Sequence, residues 1–392
     1  VNFAPVVDVA TDQYNPDLCL RSFGMSPTLV GGLGVEMIRG LQEGGVSATA
    51  RHFPGRGSAV PKAGSAPVVT KPGEQILEHD LVPFQAAIAA GVHLIMSAHV
   101  AYTDVDAQPA TFSKRLITDL LREEMGYKGI VVTEDLTSPG VLSSMSGEEA
   151  AVQAFLAGHD LLVLAHDVDL FRKAVRSFKV AVDGGRIPAD RLRQSQDRIK
   201  SLLATKKPAR ATTFAAEDAD EAGGAALLAG SVAHAAVKVE RDPQHLLPLQ
   251  PNRRIGALVP RLWDVADRVT IDEELRGAAA LVQGWMQKHS RTVDVLEIPI
   301  QPDRDMMDLT MEWVSGLEVA VFFCFDAHRF AGQRALLEQL QGKCKRTVVV
   351  LLANPWDRLF VNADASVVDT FGFRVCQLLA AVETLFKGAT LK

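Results

Sequence analysis

Residues 113–136, SKRLITDLLREEMGYKGIVVTEDL, join an amphipathic stretch of helical spacing to a near-continuous apolar run, with a Gly126 stop between them. A run that is apolar throughout, rather than at alternate positions, is what a strand covered on both faces shows. The same couple recurs through the first half of the chain. Apolar runs at 1–9 (VNFAPVVDV), 47–53 (SATARHF), 93–100 (HLIMSAHV), 129–136 (GIVVTEDL) and 159–165 (HDLLVLA) alternate with amphipathic stretches at 26–45, 78–91, 113–126 and 147–158. Ser26 ahead of Pro27, and Ser113, are natural helix N-caps, and Gly44, Gly91, Gly126 and Gly158 are natural stops.

Strand and helix in alternation predict an α/β layer architecture with a parallel sheet. Polar residues gather just past the strand C-terminal ends, namely Asp8, His52, His99, Glu134, Asp135 and His166. In a (β/α)₈ TIM-type barrel that end is the active-site face. An open doubly wound sheet would carry a glycine-rich phosphate turn after its first strand, and neither G-x-G-x-x-G nor G-x-x-x-x-G-K-[ST] occurs. The fold expected is therefore a (β/α)₈ barrel. Closing it requires about two or three strands from a portion preceding residue 1. That agrees with a chain opening inside an apolar run without a methionine, and the stop at GATLK directly after a helix pattern predicts a clipped C-terminus as well.

The chain has 392 residues, 47% hydrophobic and 22% charged, with a net charge of -6. At roughly 100–200 residues per domain this predicts two or three domains, and the lack of a basic excess argues against a nucleic-acid partner. No uninterrupted apolar stretch reaches about 18 residues, so no helical membrane span is expected. Cys19, Cys324, Cys344 and Cys376 are far apart, with no C-x-x-C pair, and predict buried free thiols rather than a disulfide framework or a zinc site. No cofactor motif is present.

The polar, acidic stretch ATTFAAEDADEAGG (211–224) reads as a linker between a barrel domain at 1–210 and a second domain at 225–392. Beyond it AVKVER, RIGALV, VAVFFCF and TVVVLLANP read as buried strands, with GAAALVQGWMQKHS and GQRALLEQLQG as helices between them. This second domain is expected to be an α/β sandwich, an open sheet covered by helices.

Six blocks, NFAPVVDV (2–9), RSFG (21–24), ATARHFPGRG (49–57), IMSAHVAY (95–102), LITDLLREEMGYKGIVVTEDL (116–136) and AGHDLLVL (157–164), resemble glycoside hydrolase family 3 in its order and spacing, in particular its β-N-acetylhexosaminidase branch. HLLPLQ (245–250) and VLLANPWD (350–357) resemble the second α/β domain of many members. The resemblance implies retaining hydrolysis of terminal β-linked sugars and a carbohydrate ligand. It further implies that Arg21, Arg51, His52 and Asp8 line or support a sugar pocket, with Arg51 standing where the family usually has lysine. His99 is placed with these pocket residues. The imidazoles of His99 and His166 are expected to hydrogen-bond within the barrel mouth, and His93 to be a satisfied core residue.

Retaining hydrolysis needs one group to attack the anomeric carbon and another to protonate the leaving oxygen and then activate water. The family nucleophile is the aspartate of S/T-D-x-L. Here the strand reads Thr133-Glu134-Asp135-Leu136, which puts Glu134 at the nucleophile position, one methylene further out. An error of about 1 Å in a near-attack geometry costs roughly a hundredfold in rate. Asp135 is passed over because neighbours on a strand face opposite sides.

The branch's acid/base is a histidine held by an aspartate in the loop after the first RHF-type strand, and from Gly57 to Val68 this loop holds no Asp, Glu or His. Arg56 replaces the loop's other histidine, and Lys62, the titratable residue nearest the lost pair, is a poor proton donor at neutral pH. A carboxylate from the second domain is a further source, and Asp326, His328, Asp364 and Asp369 are its candidates, none singled out by spacing. Two readings follow. One is a degenerate glycosidase, weakly active or inactive. The other is a pseudoenzyme, a carbohydrate-binding or assembly subunit whose barrel is completed by its missing N-terminal segment or a protein partner.

Overall fold

The computed structural model describes residues 1–12, 15, 18–62, 65–204, 218–267 and 269–388. The chain divides into two compact units, Val1–Thr212 and Thr213–Lys392. Residues 211–217 of the expected linker lie outside the described residues. Residues 218–224 open the helix Asp218–Ala236 rather than a linker. The alanines of this segment are strong helix formers.

In the first unit β1 (Thr49–Phe53), β2 (Leu94–Ser97), β3 (Ile130–Asp135) and β4 (Leu161–Val163) form a parallel sheet in that order. This is the strand–helix alternation of a (β/α)₈-type barrel. All four residues of β2 and the first four of β3 are buried, as strands covered on both faces must be. Helices follow the expected signals. Pro27–Glu43 starts at Ser26, whose hydroxyl accepts the Leu29 N–H, and stops at Gly44. Gly147–Ala157 starts at Ser146 and ends at Gly158, which takes φ +131°. Residues 115–124 wind as a π-helix, with the Ser113 hydroxyl accepting the Leu116 N–H ahead of it.

Residues 1–9 depart from the expectation of a strand. The segment runs beside β1, giving Asn2 N–H to the Ser47 carbonyl and Val7 N–H to the Arg51 carbonyl, each at 2.8 Å, but it makes only an isolated bridge, Val6 to Arg51. Pro5 has no N–H to donate, so a continuous ladder cannot form across it. The loop after β1 folds back on itself through paired Val60 and Val68 backbone bonds, and Val68–Val69 then joins Ala101–Tyr102 and Asp106–Pro109 in a small sheet.

His159, two residues ahead of β4, is fully buried between Ser97 Oγ at 2.8 Å and the Ala154 carbonyl at 2.9 Å. Burial pushes its pKa down to about 4, against a smaller upward pull from the Ala154 carbonyl. The unfolded chain therefore binds a proton there that the folded chain refuses. Nothing is lost above the unfolded value near 6.5; stability then falls as pH drops from about 6.5 to 4, by about 3 kcal/mol in all. Urea titrations of the wild type and His159→Gln should diverge in pH dependence across that window, and parallel curves would remove His159 as the cause.

The second unit holds a six-stranded sheet. Its strands are β5 (Lys238–Arg241), β6 (Ile255–Pro260), β7 (Val293–Ile298), β8 (Val319–Cys324), β9 (Thr347–Leu351) and β10 (Ser366–Asp369), in the order β7-β6-β8-β9-β10-β5, all parallel except β5. β7 and β10 were not among the strands read from sequence. Val321 and Phe323 pack into one core while Ala320 and Phe322 pack into another, so successive residues of β8 serve opposite faces and both faces are covered. Cys324 and Cys344 are buried free thiols, whereas Cys376 is only half-buried. The described helices include none long and apolar enough to cross a membrane.

Candidate active site

The C-terminal ends of β1 to β3 and the turns after them surround a cleft of about 630 Å³, lined by Arg21, Arg51, His52, Arg56, His99, Glu134 and Asp135 among others. Backbone constraints build it. The turn Pro54–Gly57 comes back under the 1–9 segment so closely that a side chain at Gly57 would meet the Val9 carbonyl oxygen at 1.6 Å, and Gly55 takes φ +121°. Three side chains clamp this turn: Asp8 accepts the Arg56 N–H at 2.9 Å, Asn15 Nδ2 donates to the Arg56 carbonyl at 2.7 Å, and Tyr102 Oη donates to the Gly55 carbonyl at 2.8 Å.

Glu134 is where the donors converge. Its Oε1 lies 2.9 Å from Arg56 Nη1 and 3.2 Å from His52 Nε2, and its Oε2 accepts the His99 N–H at 2.8 Å. His52 is occupied at its other nitrogen as well, with Nδ1 2.7 Å from Asp8 Oδ2. Both ring nitrogens therefore face carboxylates. Although burial raises the Asp8 carboxyl, the neighbouring His52 and the hydrogen bonds from His52 and Arg56 outweigh it and hold the group below the usual carboxylate range.

The pocket residues read from sequence divide into two kinds. Arg21, Arg51, His52, His99 and Glu134 reach the cleft. Asp8 does not: it is fully buried beneath it, its oxygens taken by His52 and Arg56, so it cannot touch a ligand and instead holds those two residues in place. His99 acts toward Glu134 through its backbone. Its ring packs edge-on against Phe112 with Nδ1 3.3 Å from Thr111 Oγ1, and burial lowers the imidazole pKa more than the Glu134 charge raises it.

Asp135 also lines the cleft, beside Glu134 rather than on the opposite face expected for a strand neighbour, and its oxygens accept from Thr137 and from the Ala165 N–H at 3.1 Å. His166 is exposed at φ +65° rather than bonded within the mouth, three residues beyond the end of β4 at Val163. His93, expected in the core, is half-buried and meets Ser47 Oγ at 3.1 Å. In the loop after the turn Lys62 is exposed, and Ser65 and Pro67 supply its share of the lining. Within the second unit Asp326, His328 and Asp369 are buried and Asp364 is exposed.

The first unit matches the model of the glycosyl hydrolase family 3 N terminal domain over residues 1–202. The chain belongs to glycosyl hydrolase family 3. Among its curated relatives, a beta-hexosaminidase of Stenotrophomonas maltophilia is 37% identical over 170 residues, covering 42% of this chain and 49% of that protein. Beta-hexosaminidase A of Pseudoalteromonas piscicida is 35% identical over 178 residues, covering 42% of this chain and 30% of that one. The chain thus spans half or less of the length of these relatives. Among solved structures, a family 3 beta-N-acetylglucosaminidase from a Paenibacillus species superimposes with a TM-score of 0.83 at 27% identity, covering all of this chain and 74% of that one.

The family's N-terminal domain thus carries the cleft in this chain. Sequence reasoning identified Arg56 only as a missing histidine. Its guanidinium reaches Glu134 because the clamped turn aims it there, a placement signalled in the sequence only by the two glycines of PGRG.

Proposed function

We propose that the cleft binds a terminal β-linked sugar of the N-acetylhexosamine kind and hydrolyses its glycosidic bond weakly or not at all. The observation that carries this reading is the state of Glu134. A nucleophile must bring a carboxylate lone pair to the anomeric carbon, and here Oε1 is bound by Arg56 and approached by His52 while Oε2 accepts the His99 N–H, contacts that draw charge from both oxygens and restrain their approach. An acid/base must present a proton to the leaving oxygen, and His52, the imidazole nearest Glu134, is held between Glu134 and Asp8. The cleft keeps cationic and hydrogen-bonding groups suited to hydroxyls, and an arginine in place of a lysine offers a planar fork of donors in place of a point charge.

Incubation with a nitrophenyl β-N-acetylglucosaminide, with release of nitrophenol as the readout, tests the hydrolytic half. The wild type is expected to turn over at least about a hundredfold more slowly than a hydrolase with the aspartate in place, and Glu134→Gln to abolish what remains. Fast turnover, or residual turnover unaffected by Glu134→Gln, would sink this reading.

The second reading is a carbohydrate-binding or assembly subunit with no hydrolysis. The same commitment of Glu134 favours it, and measurable sugar binding with no nitrophenol release is its signature.

A further inference from the structure

The carboxylates in and under the cleft are already engaged. Glu134 is bound by Arg56 and the His99 N–H, Asp8 by His52 and the Arg56 N–H, and Asp135 by Thr137 and the Ala165 N–H. One cation has no partner in direct contact. Arg51, half-buried on β1, has its Nε buried without a hydrogen-bond partner, and its guanidinium makes no ion pair among the described residues, although the charges of Glu134 and Asp8 act on it from further off. It shares the cleft wall with Arg21 and Arg56. Burial, and then the like charge of Arg21, depress its pKa below the ordinary arginine value, the direction expected of a guanidinium partly out of water beside another cation.

Withdrawing a charge from water without a counter-charge in direct contact is unfavourable, and a neutral sugar hydroxyl would supply none. A guanidinium's parallel N–H donors match two oxygens of a carboxylate or phosphate, a contact stronger than one to a neutral acceptor. We propose that the cleft takes a sugar bearing a carboxylate or phosphate, its anionic group seated against Arg51 with Arg21 beside it. This rests on the reading of the cleft as a sugar site and adds the charge of the sugar it selects. Arg51 on this view sets ligand choice, while Arg56 is committed to Glu134.

Titration calorimetry on the whole chain tests it with N-acetylglucosamine, N-acetylglucosamine 6-phosphate, glucuronic acid and inorganic phosphate as probes. At least one anionic sugar should bind about tenfold or more tightly than N-acetylglucosamine, and the ratio should shrink as salt rises. In Arg51→Gln the ratio should approach one, and in Arg51→Lys it should be intermediate.

Equal affinities for neutral and both anionic sugars, or a ratio kept in Arg51→Gln, overturn the proposal while leaving the sugar cleft intact. Inorganic phosphate binding as tightly as the sugar phosphate also overturns it, since the sugar would then contribute nothing. Failure of every sugar to bind sinks the sugar reading itself, and this proposal with it. If Arg51→Gln does not fold, the Arg51→Lys ratio and the wild-type salt dependence decide, and a ratio insensitive to both overturns it.

Discussion

Asp160→Ala is expected to cost the first unit about 3–5 kcal/mol and to lower its melting midpoint by on the order of 10 °C. The carboxylate sits at the start of β4 with its side chain fully out of water. Its Oδ2 accepts from Arg122 at 2.5 Å and from the Val131 N–H at 3.0 Å, and its Oδ1 meets Arg198 at 3.1 Å, Ser195 Oγ at 2.5 Å and, further off, Arg191 at 3.6 Å. It therefore ties the π-helix 115–124, β3 and the helix Ala189–Ala204 to one point. Removing it leaves three partly buried guanidinium groups facing one another, which is why the loss should far exceed that of a single neutral hydrogen bond. Ser195→Ala, which deletes only one donor, is the control and should cost about 1 kcal/mol. Equal shifts for the two variants in thermal unfolding followed by circular dichroism would show that the charge at Asp160 contributes nothing special.

Asp8→Ala is expected to cost a similar amount, about 3 kcal/mol, and to weaken sugar binding. The carboxylate is fully buried and satisfies three donors, the His52 N–H, the Arg56 N–H and His52 Nδ1. Without it the Arg56 turn loses one of its clamps and His52 loses the partner that fixes its ring. Because the Asp8 pKa lies below its ordinary value, its contribution is present at neutral pH and disappears as pH falls below that ordinary value near 4, a window lying beneath the His159 transition. Asp8→Asn keeps the shape but presents an NH₂ to at least one of these donors, so it should fall between Ala and the wild type. An Asp8→Ala chain that melts and binds N-acetylglucosamine as the wild type does would refute the supporting role assigned here.

Much of the first unit was legible because burial on both faces writes itself into consecutive residues. The runs at 47–53, 93–100, 129–136 and 159–165 contain β1 to β4, and serine caps and glycine stops mark several helix ends. Residues 1–9 misled because apolar character cannot show that Pro5 interrupts the ladder. β7 was missed because its pattern is mixed: Val293 is buried while Asp294 is exposed, as befits the edge of the sheet. β10 was missed because SVVD is only four residues long and follows a run of loop residues, although all four are buried. At the site, motif order named Glu134, His52, Arg51 and Arg21, but it grouped Asp8 with ligand contacts, since sequence position gives no measure of depth.

The sequence by itself determined the strand–helix alternation, the family blocks, a carboxylate, Glu134, at the end of a strand and a loop from 57 to 68 without Asp, Glu or His. These are properties of residues close together in the chain, where periodicity and motif spacing carry the information. Only the tertiary structure decided that Arg56 grips Glu134 across 78 residues, that the His99 backbone does so across 35, and that Asp8 anchors His52 across 44. Hydrogen bonds depend on where donors point once strands have registered and turns have closed. That direction is set by packing across the whole unit and has no local signature to read.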